Sequence, residues 1–305
     1  MTSKPFRYRH NFSFIIATGL FLSITNAVWA FLLSIAKTAN GDFAVVALIM
    51  VLGQVPIAAI VVLLRKERVV FSFYPVVTGV LYGLANVLLL SIFSFRNSAV
   101  VYSLISPTII VFIIAEIFIN RKKIIKRNIK NLAVGGGIAG IGFFVLSLSG
   151  LNLSIITPYD IFLSIILIVL YGLAGFFFTQ TGLKSGKTYF PIIVIDIFEI
   201  VTILPFLLFY RFQIPINGLT IAFLAGLVVS VGIIISFVGY GTLEKSRKAI
   251  PYSSVMYILS EMETLFLLLF YSIFVRILNL YIIGSILLII LAIWYLSKES
   301  DASFS

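Results

Sequence analysis

The chain has no cysteine and one histidine, and only 11% of its 305 residues are charged. Without cysteine there is neither a disulfide nor a thiolate metal site. The single histidine, His10, sits in a basic N-terminal segment, which argues against a histidine metal centre. No His, Cys or Asp/His cluster falls within the apolar part of the chain, so a nucleophile–base pair for an embedded enzyme is missing too. No catalytic activity, metal or cofactor is expected. Acid is the scarce sign, with 11 Asp and Glu against 22 Lys and Arg, a net charge of +11. The cations are scattered over short loops rather than gathered on one soluble face, so no nucleic-acid partner is expected.

What is present is hydrophobic sequence. The chain is 61% hydrophobic with a mean hydropathy of +1.17, and a helix needs about 20 apolar residues to cross roughly 30 Å of hydrocarbon. Ten such spans are predicted near residues 12–36, 43–64, 69–95, 98–119, 132–151, 161–183, 188–210, 219–243, 249–274 and 277–297. They consume nearly the whole chain and leave no soluble domain. Alternating segments of about ten residues, the mark of a membrane barrel, are absent, so the fold class expected is an all-α polytopic membrane protein. The N-terminal basic residues, apolar run and Val28-Trp29-Ala30 resemble a cleavable signal. The apolar stretch continues through Phe31-Leu32-Leu33, however, which favours a retained first helix. The stretch 249–297 exceeds one crossing and is expected to turn back near Val275-Arg276 or Asn279, with Arg276 at the surface because a mid-bilayer cation is costly.

Under this parsing, eighteen of the 22 Lys and Arg fall on one side of the membrane. They are Lys4, Arg7 and Arg9; Arg65, Lys66 and Arg68; Arg121, Lys122, Lys123, Lys126, Arg127 and Lys130; Lys184 and Lys187; Lys245, Arg247 and Lys248; and Lys298. Only Lys37, Arg96, Arg211 and Arg276 lie opposite. Short basic loops stay cytoplasmic. Both termini are therefore expected inside the cytoplasmic membrane, with the basic loops drawn to anionic lipid heads.

Two internal offsets hint at duplication. A shift of 155 lays Tyr102 through Pro107 over Tyr257 through Met262, and Arg121 over Arg276; a shift of 147 lays Trp29 through Lys37 over Phe176 through Lys184. They suggest two five-helix halves, residues 1–151 and 152–305, the odd number of spans inverting the second half relative to the first.

The segment Ser98-Ala99-Val100-Val101-Tyr102 through Ser106-Pro107-Thr108-Ile109 to Asn120-Arg121 resembles the signature of the drug/metabolite transporter superfamily, in its ten-helix EamA-like metabolite-exporter branch. Pro107, Arg121 and the glycines Gly135, Gly136, Gly137, Gly140 and Gly142 are kept. Asn120 stands where that branch has Glu, Glu261-Met262 where it has Glu-Pro, and Val275-Arg276 where it has Glu-Arg. The resemblance implies two inverted repeats around a central cavity lined by spans one, three, four, six, eight and nine, with spans five and ten outside. It also implies a peripheral span seven.

Carboxylates at membrane depth are the sharpest local signals, because a buried charge there must be paired, protonated or hydrated. Spans seven and nine carry Asp196, Glu199, Glu261 and Glu263. Tyr257 and Glu261 are four apart and share a helix face, whereas Glu263 lies roughly 200° from Glu261 on a continuous helix. The two glutamates are therefore not expected to face one cavity. Glu261, at the Glu-Pro position and the repeat mate of Ser106, is taken as the pocket residue. Asp196 and Glu199, three apart, could share a proton or hold a cation, so coupling to a proton or cation is assigned to Glu261, Asp196 and Glu199. The pathway set is completed by Tyr257, Ser106, Tyr102, Tyr82, Trp29 and Asn26. Glu116, near Asn120 and the basic loop, is expected to snorkel to a salt bridge.

Small-residue patterns Gly79-xxx-Gly83, Gly136-xxx-Gly140 and Gly226-xxx-Ser230 let helices approach closely, within one chain or in a dimer; monomer and homodimer both stay open. Pro107, Pro191, Pro205 and Pro251 are expected at helix bends or first turns. These readings together point to a carrier that moves a small organic metabolite by alternating access, most simply outward. A flippase for a lipid-linked substrate is the alternative.

Overall fold

The computed structural model describes residues 5–40, 42–67, 72–93, 98–120, 126–150, 157–185, 188–208, 216–243, 249–275 and 280–298. Among them it contains helices and no strand: α1 (Pro5–Asn40), α2 (Phe43–Arg65), α3 (Phe73–Ile92), α4 (Ser98–Ile105), α5 (Thr108–Ile119), α6 (Lys126–Gly150), α7 (Pro158–Ser185), α8 (Phe190–Leu207), α9 (Ile216–Leu243), α10 (Ala249–Ser260), α11 (Glu263–Val275) and α12 (Leu280–Lys298). Eight spans among the described residues are long and apolar enough to cross a membrane, with Tyr281–Leu296 a shorter apolar helix.

Only 39–67% of each spanning window is buried inside the molecule, so apolar residues cover the outside as well as the core. Leu63, Leu64, Phe118, Ile141, Phe144, Leu287 and Trp294 are all more than half exposed. A water-soluble protein rarely shows so much contiguous apolar surface. The chain is a polytopic membrane protein. In hydrocarbon each backbone N–H and C=O must be satisfied internally, which helices achieve, and the helix ends carry their own caps. Asp42 accepts from Ala44 N and Val45 N at the start of α2 (3.0 and 3.1 Å). Thr157 and Asp160 cap α7 reciprocally at 2.8 and 3.2 Å. Lys66 closes α2 in the left-handed conformation at φ 51°.

Spans four and nine depart from expectation, because neither is one continuous helix. The first breaks at Ser106-Pro107, between α4 and α5. Pro107 has no N–H to offer the Ser103 carbonyl one turn back, and the Ser106 hydroxyl takes that carbonyl instead at 2.8 Å. The second breaks at Glu261-Met262, where Met262 N reaches only three residues back, to Leu259 O at 3.2 Å. The other prolines sit as anticipated: Pro191 in the first turn of α8, Pro205 in its last, and Pro251 in the first turn of α10. The turn expected near Val275-Arg276 or Asn279 falls on 276–279, outside the described residues, as do Arg121 and half of the basic residues assigned to the cytoplasmic side.

Packing is organised by pairs. α1 packs against α9, and α3 against α7; α2 packs against α9, and α3 against α8; α2 also meets α8, and α6 pairs with α12. The small-residue patterns make close contacts within the chain. A Cβ on Gly79 would meet the Ile195 carbonyl, and one on Gly83 would sit 2.8 Å from Thr202 Cβ, both on α8. Gly226 on α9 faces Gly53 on α2, its Cβ position 2.9 Å from Gly53 Cα, and Ser230 donates to Gln54 O at 3.0 Å. Gly136 and Gly140 on α6 face Ile113 and Ile110 of α5 at 2.7 and 2.8 Å.

Candidate functional site

A central cavity of about 120 Å³ is walled by side chains from α1 to α5 and α7 to α11, with none from α6 or α12. Every residue of the pathway set lines it: Asn26, Trp29, Tyr82, Tyr102, Ser106, Tyr257 and Glu261. Sequence reasoning missed Gln54, Asn86, Thr108, Tyr171 and Tyr240, which line it too. Gln54 and Asn86 carried a usable signal as amides inside apolar runs, since such groups need partners at depth. Thr108 and the two tyrosines had none, because hydroxyl side chains are common in these spans.

Two expectations are overturned by the wall. Glu263 lines the cavity together with Glu261. The 200° separation assumed an unbroken helix, and the break at Glu261-Met262 resets the angular register. Asp196 and Glu199 also line the cavity, so α8 is part of the wall rather than peripheral; Gly79 and Gly83 let it press against α3. All four carboxylates converge on one space.

Glu261 sits at the frayed end of α10, half-buried. The Thr108 hydroxyl, at the start of α5, donates to its Oε2 at 2.8 Å, so the two helix breaks meet through this bond. Tyr257, one turn back on the same helix face, lines the cavity beside it. The Tyr257 ring is held flat against Phe112, centroids 3.9 Å apart, and lies over Gly175 of α7, where any Cβ would strike it. Glu263 lies close to Asn26 of α1. Across the cavity, Tyr171 donates to Asn86 Oδ1 at 2.7 Å and Asn86 donates to Glu199 Oε1 at 2.5 Å. Asp196 differs from the other three: it is fully buried and neither of its oxygens has a hydrogen-bond partner.

Aromatic rings complete the lining. Trp29 donates from Nε1 to Met50 Sδ at 2.9 Å and meets Tyr102 edge-on at 6.4 Å. Tyr82 and Tyr171 have centroids 6.2 Å apart. The Tyr102 hydroxyl, like Asp196, has no partner.

Glu116 does not snorkel. It is fully buried and accepts from Asn120 Nδ2 at 3.0 Å and Gln180 Nε2 at 3.4 Å. The bond from the Gln180 amide fastens α5 to α7. Among the described residues no three His, Cys, Asp or Glu side chains converge as a metal site.

No family model and no curated protein matches the chain. A solved structure, described simply as a crystal structure of a protein, is similar over 95% of this chain and 99% of its own, with a TM-score of 0.60 at 13% identity. At that identity the likeness concerns the fold. It extends nearly end to end in both chains, so the whole arrangement of helices, and not one hairpin, is shared.

Proposed function

We propose that this protein is a carrier of the drug/metabolite transporter type, moving a small organic metabolite across the cytoplasmic membrane by alternating access, outward from the cell. The observation that carries the proposal is the central cavity: four carboxylates line it within an otherwise apolar bundle, and both broken helices contribute to its wall. Non-helical backbone at membrane depth is tolerated where it is buried or lines such a space, and substrate sites of carriers lie at broken helices between repeats.

Two inverted repeats are the proposed architecture. Exchanging α1, α2, α3, α4–α5 and α6 for α7, α8, α9, α10–α11 and α12 turns the α1/α9 contact into α7/α3, and α2/α9 into α8/α3. The α2/α8 and α6/α12 contacts map onto themselves, as a two-fold relation requires. The breaks at Ser106-Pro107 and Glu261-Met262 are mates under the 155-residue shift, and Gly79-xxx-Gly83 falls on Gly226-xxx-Ser230 under the 147-residue shift. The proposed topology puts the basic α2–α3 and α7–α8 connections on the cytoplasmic side, and contacts between their ends fit a common side. Glu67, beside Arg65 and Lys66, accepts from Tyr189 N and Phe190 N at 2.6 and 2.9 Å. Arg65 also stacks over the Tyr189 ring at 4.6 Å. The α2–α3 and α7–α8 connections therefore lie side by side.

Glu261 is the proposed coupling residue, placed where the two breaks meet. The titratable groups sharing its cavity are Asp196, Glu199 and Glu263 with Tyr82, Tyr102, Tyr171, Tyr240 and Tyr257. The test is flux of a mixed amino-acid and metabolite panel into proteoliposomes over a range of pH, wild type against Glu261→Gln. Loss of flux, or loss of its pH dependence, is the expected result. Unchanged flux and pH dependence would remove Glu261 from the pathway. Activity on lipid carriers with no flux of any soluble solute would replace the metabolite carrier with a flippase.

A further inference from the structure

We propose that the cavity binds a small organic cation, an aliphatic amine in its ammonium form, and that Asp196 receives the ammonium group. This rests on the carrier reading and names its substrate class.

The wall's ionisable groups other than tyrosine are all acidic. Four carboxylates line it, and among the described residues no Lys, Arg or His does. In this low-dielectric space an ionised carboxylate repels an anion and attracts a cation. The protein itself bonds two of the other three acids, Glu261 through Thr108 and Glu199 through Asn86, and Asn26 lies close to the third, Glu263. Asp196 is fully buried with both oxygens bare. A buried acceptor left without a donor is penalised unless something supplies one. An ammonium group brings three donors and the opposite charge.

The rest of the wall distinguishes an organic cation from a metal ion. The carboxylates are distributed around the space and no three of them converge on a point, while Trp29, Tyr82 and Tyr171 offer ring faces and apolar area to an alkyl ammonium. About 120 Å³ is close to the size of a cavity that accepts benzene, roughly 150 Å³, which suits a four-carbon amine.

The test uses the full-length protein in lipid nanodiscs. Of the two tryptophans, Trp29 lines the cavity and Trp294 is exposed on α12, so Trp294→Phe leaves Trp29 as the reporter. Fluorescence is titrated with butylamine and 1,4-diaminobutane against butan-1-ol and butyrate. Saturable change with the amines alone, weakened at least tenfold by Asp196→Asn and restored by Asp196→Glu, is the expected result. Binding of butanol or butyrate as tight as the amines would overturn the cation assignment. So would amine affinity within twofold of the parent in an Asp196→Asn protein that keeps its circular dichroism and elutes as a single species. The two readings fail separately: flux of neutral or acidic solutes without amine binding sinks the cation and keeps the carrier, and amine binding without flux of any solute does the reverse.

Discussion

Replacing Thr108 with Val tests how the two broken helices cooperate. The side chains have nearly the same shape, and Thr108 is 2% exposed, so the substitution removes little but the hydroxyl that donates to Glu261 Oε2 at 2.8 Å. A hydrogen bond to a charged group contributes about 1.5–3 kcal/mol, equivalent to roughly 10- to 150-fold in an equilibrium or rate constant. Flux through proteoliposomes should fall within that range for whichever step needs Glu261 held against α5. The stronger reading comes from a double-mutant cycle with Glu261→Gln. If the bond matters, the second substitution should add little to the first, giving a coupling energy of about 0.5–3 kcal/mol. Effects that add to within about 0.5 kcal/mol would mean that Thr108 and Glu261 act independently, and the idea that the breaks work as one unit would fail. Tyr257 supplies a control. It lines the same cavity from α10 itself, one turn before Glu261, so Tyr257→Phe should leave the Thr108 bond and the coupling of α5 to α10 intact.

Two further predictions separate packing from topology. A Cβ on Gly137 meets nothing within 4 Å, whereas one on Gly136 sits 2.7 Å from Ile113; Gly137→Ala should be neutral or stabilising by up to about 1 kcal/mol and Gly136→Ala destabilising by about 1–3 kcal/mol, read by thermal unfolding in detergent. Because the chain lacks cysteine, single substitutions report sidedness directly. With an impermeant thiol reagent added outside intact cells, Tyr159→Cys should label and Lys130→Cys should not, both positions being exposed in the folded chain. The reverse pattern would invert the proposed topology.

Composition and charge were enough to establish a helical membrane protein, because hydrocarbon leaves the backbone no other open-chain solution and because span length is dictated by bilayer thickness. Seven of the residues that line the cavity were also legible. A carboxylate, amide or tyrosine inside an apolar run has few places to go, and the matching Tyr102 and Tyr257 segments singled out two regions of the chain. Where a helix breaks was much harder to read, since that depends on which carbonyls find substitute donors. Pro107 advertised its break, but Glu261-Met262 has no proline; there Met262 N turns to Leu259 O while the Glu261 side chain is bonded by Thr108. That break then decided the placement of Glu263, which no wheel drawn on a continuous helix could anticipate. Likewise the inward position of Asp196 and Glu199 follows from Gly79 and Gly83 bringing α8 against α3. Periodicity along one chain segment determines which residues share a helix face; only the packing of one helix on another decides what that face looks at.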